Sequence, residues 1–122
     1  MDLTEEWAKT GEGSKLLTAC LMVRKEFAQQ HPEAVSQLLK DYETSAEWVN
    51  SNVDEAAKLA EQYIGIKEGV AKKAIPLCNI VCITGEEMKT ASAQYLKVLF
   101  EQDPSFTGGA MPGDGFYYIN AK

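Results

Sequence analysis

The chain has 122 residues, enough for one small domain with one hydrophobic core. Its net charge of −6 disfavours nucleic acid, which is bound by clustered cations, and it equally disfavours anionic membrane surfaces. No apolar run approaches the roughly 20 residues of a membrane span, and the acidic, polar N-terminus is unlike a signal peptide.

The first predicted elements are a short polar helix and an apolar run. The helix covers Thr4 to Lys9 and ends in the turn-forming residues 10–14. The run, Leu16 to Val23, lies between that turn and a group of charges, which is typical of a strand buried on both faces. A buried helix is the alternative, because Leu, Ala and Met are good helix formers.

Local signals then predict several helices in succession. A short helix over residues 24–30 stops before Pro32, which suits the first position of the next helix. That next helix is predicted by apolar residues at helical spacing: Val35, Leu38, Leu39, Tyr42, Ala46 and Val49. Asn52 and Glu55 form a capping-box pattern for a further helix, which Gly65 ends. A weaker helix over residues 67–74 stops at Pro76.

The last third of the chain is predicted to begin with a short strand. Ile80 to Ile83 is rich in β-branched residues, and Thr84 with Glu87 is a capping box for a helix ending near Gln102. Residues 103–122 are predicted to be an irregular tail whose aromatic residues pack back onto the body.

The chain offers few groups for metal binding or catalysis. Cys78 and Cys82 with Cys20 and His31 would make a Cys₃His set, but the eleven-residue spacing of the second pair fits no zinc pattern. We therefore interpret the cysteines as core side chains, and His31 has no partner motif for acid–base work. The glycine-rich residues 108–115 lack the Lys-Ser/Thr end of a phosphate loop. The sequence thus predicts no metal site, no cofactor and no catalytic residue.

Residues 23–63, VRKEFAQQHPEAVSQLLKDYETSAEWVNSNVDEAAKLAEQY, resemble the C-terminal part of ABC-transporter solute-binding proteins. The similarity is strongest to the nitrate, sulfonate, taurine and thiamine-precursor branch. The segments AKKAIPLCNIVCITGEEMK and GGAMPGDGFYY also look like the close of that family's chains. The order and spacing of these motifs, from Leu3 to Tyr118, carry the resemblance.

The resemblance implies an α/β fold: the helix-rich C-terminal part of a type II periplasmic-binding-protein lobe, with one or two buried strands. Residues 1–122 would be a single partial domain of a longer, extracytoplasmic, membrane-anchored lipoprotein. Its partners would be a small organic or anionic solute and an ABC permease, and it would be no enzyme. This also accounts for the shortage of strands, since two cannot form a stable sheet alone.

Two expectations follow from this interpretation. By their position, Thr18 and Cys20 on the first predicted strand and Asn79 before the short second strand are the candidate solute-binding residues. Leu16 to Val23, lacking its neighbours, is expected to pair with another copy and give a homo-oligomer.

Two alternatives stay open. One is a self-contained helical module that docks a partner helix. The other is an enzyme of thiamine-precursor synthesis that uses a histidine of its own chain, for which His31 offers no motif.

Overall fold

A computed structural model describes residues 2–119 and divides the chain into two units. One comprises residues 2–22 with 83–119, and the other is Val23–Cys82. Within residues 2–119 the regular structure is helical: α1 (Leu3–Thr10), α2 (Lys25–Gln30), α3 (Pro32–Ser51), α4 (Val53–Ile64), α5 (Glu68–Ala74) and α6 (Gly85–Gln102). Short 3₁₀ turns cover Ile75–Leu77, Pro104–Thr107 and Asp114–Phe116.

The predicted α/β fold with buried strands is wrong for this chain. No strand or sheet occurs among the residues that the structure describes. Residues 15–23 and 79–83 are neither helix nor strand, and Leu21, Met22 and Val23 are exposed where burial was expected. An apolar run becomes a buried strand only when neighbouring strands accept its hydrogen bonds and helices cover its faces. Within residues 2–119 no neighbouring strand is present, and no helix covers Leu21, Met22 or Val23.

The unit Val23–Cys82 holds a cluster of buried apolar side chains. Ala56 and Ala57 on α4 pack with Ala71 on α5 and Ile75, and Val49, Val53, Ala60 and Ile80 surround them. Small alanine side chains allow α4 and α5 to approach closely. Gly65, at φ 76°, ends α4 in the left-handed conformation that glycine adopts without strain. The carboxylate of Glu61 then accepts a 2.9 Å hydrogen bond from the backbone N–H of Glu68, where α5 begins.

The other unit is built around α1 and α6. Asp2 caps α1 by accepting a hydrogen bond from the backbone N–H of Thr4 at 2.8 Å. The ring of Trp7 on α1 lies against that of Tyr95 on α6, with centroids 5.1 Å apart. Lys89 of α6 forms a 2.8 Å ion pair with Asp114 in the tail, which connects the tail to the helix. Residues 120–122 of the predicted tail lie outside the described residues.

Two predicted capping boxes do not form. Asn52 and Thr84 do stand at helix starts, but neither side chain makes a capping hydrogen bond. The Asn52 amide instead donates to the carbonyl of Trp48, at the end of the preceding helix, at 2.9 Å. Gly85, the first residue of α6, has a φ of 63°, which turns the backbone away from the geometry that a Thr84 cap needs.

Candidate functional site

Residues 15–23, which we call the first extended segment, are an apolar stretch without regular secondary structure. They run without helix, turn or bend, and no backbone hydrogen bond to any of these nine residues occurs within the described part of the chain. Leu21 is 57% exposed and Met22 is 89% exposed. Backbone donors and acceptors are obligatory hydrogen-bonding groups, so an apolar segment with all of them open offers an edge for another strand.

The start of this segment is held firmly. The indole Nε1 of Trp7 donates to the carbonyl oxygen of Ser14 at 3.1 Å and to its Oγ at 3.0 Å. The Ser14 hydroxyl donates in turn to the carbonyl of Gly11 at 2.6 Å. Immediately after it, Lys15 pairs with Glu87 of α6 at 2.9 Å. The chain therefore enters the first extended segment from an ordered point.

Residues 79–83, the second extended segment, are anchored differently. The side-chain amide of Asn50 on α3 donates to the carbonyl oxygen of Ile80 at 2.7 Å, and Ile80 packs beside the alanine cluster. Asn79 begins the segment with φ at 49°, in the left-handed region that Asn tolerates better than most residues. No backbone–backbone hydrogen bond to residues 79–83 is found in the described chain.

The predicted solute-binding residues lie on these two segments. Thr18 and Cys20 are exposed and two residues apart, so they share a side of the first extended segment. Asn79 is exposed at the start of the second, in the other unit. None of the three makes a side-chain hydrogen bond within residues 2–119. Their polar groups are therefore available to form hydrogen bonds with a ligand.

The three cysteines and the histidine differ in their exposure and contacts. Cys20 and Cys78 are exposed, which corrects the expectation that all three cysteines pack inward, and Cys82 is half-buried. The ring of His31 contacts that of Phe27 at a tilt of 45°, with centroids 4.8 Å apart. Among residues 2–119 no group of three or more His, Cys, Asp or Glu side chains is placed to hold a metal ion.

A shallow depression lies between α3 and the second extended segment. Its volume is about 240 Å³, and it is lined by Glu43, Ala46, Glu47, Asn50, Ile80, Val81 and Cys82. Burial raises the pKa of the Cys82 thiol, and the nearby carboxylate of Glu43 raises it further. Two carboxylates in one depression repel an anion, so this depression suits a hydrogen-bond donor or a cation better than an anionic solute.

Sequence reasoning missed the two anchors of the extended segments. Trp7 and Ser14 are seven residues apart across a glycine-containing turn, and Asn50 lies thirty residues before the carbonyl that it binds. Neither spacing matches a local motif. The one available signal was the pair of glycines, Gly11 and Gly13, between an aromatic residue and a serine.

The comparisons with known proteins leave the resemblance as an interpretation of the residues alone. No protein-family model matches this chain, and neither the curated proteins nor the solved structures contain a significant match. Among the described residues, no helix is long and apolar enough to cross a membrane.

Proposed function

We propose that this chain is the C-terminal part of the extracytoplasmic, lipid-anchored solute-binding component of an ABC importer. Its role is non-catalytic: it helps to enclose a small organic or anionic solute and to deliver it to a permease. The proposal rests on the order and spacing of the motifs described above, and on one structural observation. That observation is the presence of two apolar segments, residues 15–23 and 79–83, with open backbone groups.

The backbone groups of residues 15–23 and 79–83 support the proposal, because strands from a further part of the polypeptide would pair with them. Leaving an apolar segment in water costs about 25 cal/mol for each Å² of apolar surface, and a strand neighbour removes that cost while giving the backbone groups protein partners. The side chains of residues 2–119 that are buried and hydrophobic are mostly alanines, while large residues such as Leu77 and Tyr63 are 78% and 76% exposed. Such exposed apolar surface is typical of an interaction face.

Within this proposal, Thr18, Cys20 and Asn79 are the first residues to contact solute. A hydroxyl and a carboxamide donate hydrogen bonds to sulfonate, nitrate or carboxylate oxygens without carrying charge of their own. These exposed donors make no hydrogen bond to other groups of the described chain, so a solute would displace only water from them.

The test uses the complete product of the reading frame that encodes this chain. Thermal-shift screening against taurine and other sulfonates, nitrate, pyrimidines and aromatic acids should give a stabilising solute, because a ligand that binds only the folded state raises the melting temperature. Thr18→Val and Asn79→Gly should each raise the dissociation constant of that solute about tenfold, because each removes one hydrogen bond to a charged group. Glycine is chosen because Asn79 has a positive φ.

The matched control is Thr44→Val. Its hydroxyl donates to the carbonyl of Lys40, within α3, at 2.9 Å, so solute affinity should not change. A complete product that no solute of these classes stabilises would refute the proposal. So would a bound solute whose affinity is insensitive to both site substitutions.

A helical interaction module is the second candidate, because α4 presents an apolar face. Leu59 and Tyr63 lie one turn apart and are 42% and 76% exposed, and Ile64 beside them is 72% exposed. An amphipathic partner helix could cover this face. Leu59→Lys would then abolish capture of that partner and leave solute binding unaffected, which separates the two functions.

A further inference from the structure

We propose that residues 15–23 pair antiparallel with the same residues of a second copy, about a two-fold axis at Ala19. The inference concerns the 122-residue chain itself and does not depend on the proposed transport function. It rests on the open backbone of this segment, on the self-complementarity of its side chains and on the placement of its flanking charges.

The backbone of residues 15–23 favours a β-strand as its binding partner. All nine residues have their N–H and C=O groups open within the described chain, and the segment is already unbent. Pairing over its whole length would form about eight to ten ladder hydrogen bonds. A partner helix would cover side chains but could not meet the backbone groups.

The side chains favour a second copy as that strand. Alternate residues of an extended chain point to opposite faces, so Leu17, Ala19, Leu21 and Val23 share one face. When the two-fold axis passes through Ala19, each residue of this apolar face lies opposite a residue of the same face in the second copy. Leu17, for example, lies opposite Leu21 of the second copy. The other face, with Leu16, Thr18, Cys20 and Met22, likewise meets its own copy.

Symmetry and charge select the register. A two-fold axis must pass through a residue pair, because an axis between two residues would place opposite faces of the two copies on one side. An axis at Cys20 would bring Lys15 opposite Lys25 of the second copy, which carries the same charge and already belongs to α2, so Lys15 would have no strand partner. Ala19 brings Lys15 opposite Val23 and pairs all nine open residues.

The second extended segment is a weaker partner. Residues 79–83 offer only five residues, and the carbonyl of Ile80 already accepts a hydrogen bond from Asn50 at 2.7 Å. Fewer ladder bonds are therefore gained there than by pairing residues 15–23 with themselves.

The first test measures oligomeric state with a matched pair of substitutions. Leu21 and Leu38 are both 57% exposed, but Leu38 lies on α3, outside the segment. The unaltered chain should be a dimer at micromolar concentration by analytical ultracentrifugation. Leu21→Lys should raise the dimer dissociation constant about tenfold or more, since it places an amine against an apolar neighbour. Leu38→Lys should leave the constant unchanged.

The second test locates the axis and does not rely on Leu21→Lys remaining folded. In a chain with Cys20, Cys78 and Cys82 replaced by serine, Ala19→Cys places two thiols directly opposite each other, within reach of a disulfide. Leu21→Cys on the same face places them about 13 Å apart. Mild oxidation should cross-link the first variant and not the second.

Four results would overturn the proposal. They are a monomer at all concentrations tested, equal weakening by the two lysine substitutions, cross-linking of Leu21→Cys as readily as Ala19→Cys, and a dimer in which Ala19→Cys does not cross-link.

Discussion

Substituting Gly11 by alanine should displace the ring that anchors the first extended segment. A Cβ added at this position would overlap Trp7 Nε1 and lie 2.7 Å from Cδ1 and Cε2 of the same ring. Two non-bonded heavy atoms cannot approach each other this closely. The backbone of Gly11 cannot easily shift, because its N–H donates a hydrogen bond to the carbonyl of Trp7. The indole must therefore move.

Moving the indole removes two sets of contacts. The Nε1 hydrogen bond to Ser14 is partly buried and contributes about 1 kcal/mol. The pairing with Tyr95 contributes roughly 0.5–1.5 kcal/mol beyond its buried area. Gly11→Ala should thus lower the free energy of unfolding of the unit that contains Trp7 by about 1.5–2.5 kcal/mol.

Urea unfolding followed by tryptophan fluorescence measures this change. Because Trp7 and Trp48 lie in different units, a Trp48→Phe background makes Trp7 the sole reporter. Gly113→Ala is the matched control, since its Cβ would meet nothing within 4 Å and its φ is −79°. The control should change stability by less than about 0.5 kcal/mol. Unchanged stability and unchanged emission in Gly11→Ala would show that the indole is not held as described.

Two further predictions concern the unit Val23–Cys82. Asn50→Ala removes the amide that binds the Ile80 carbonyl, so thermolysin should cleave within residues 79–83 about fivefold faster. Glu43→Gln removes a carboxylate that raises the pKa of Cys82; more thiolate is then present at a given pH, and iodoacetamide should alkylate Cys82 faster, as mass spectrometry can follow.

Both changes have matched controls on or next to α3. Asn52→Ala removes an amide that binds only the carbonyl of Trp48, so the cleavage rate should stay the same. Glu47→Gln alters the other carboxylate of the depression, which does not contribute to the raised pKa, and should leave alkylation unchanged. The assigned contacts would be contradicted if Asn52→Ala raised the cleavage rate as much as Asn50→Ala. They would also be contradicted if Glu43→Gln and Glu47→Gln raised the alkylation rate of Cys82 equally.

The sequence alone determined the helices and most of their ends. Pro32 at the start of α3, Gly65 after α4 and Pro76 after α5 each act through the backbone of their own turn, so their effect can be read without knowledge of the rest of the chain. The apolar spacing on α3 likewise predicted a helix, because period follows from local geometry.

Tertiary structure decided what those elements contact. The same apolar stripe left Leu38 exposed while burying Val35 and Ala46, and the caps expected of Asn52 and Thr84 did not form. For residues 15–23 and 79–83, the sequence indicated apolar, extended chain but could not supply neighbours. Strand pairing joins residues distant along a chain or on different chains, and its hydrogen bonds exist only once both partners are in place.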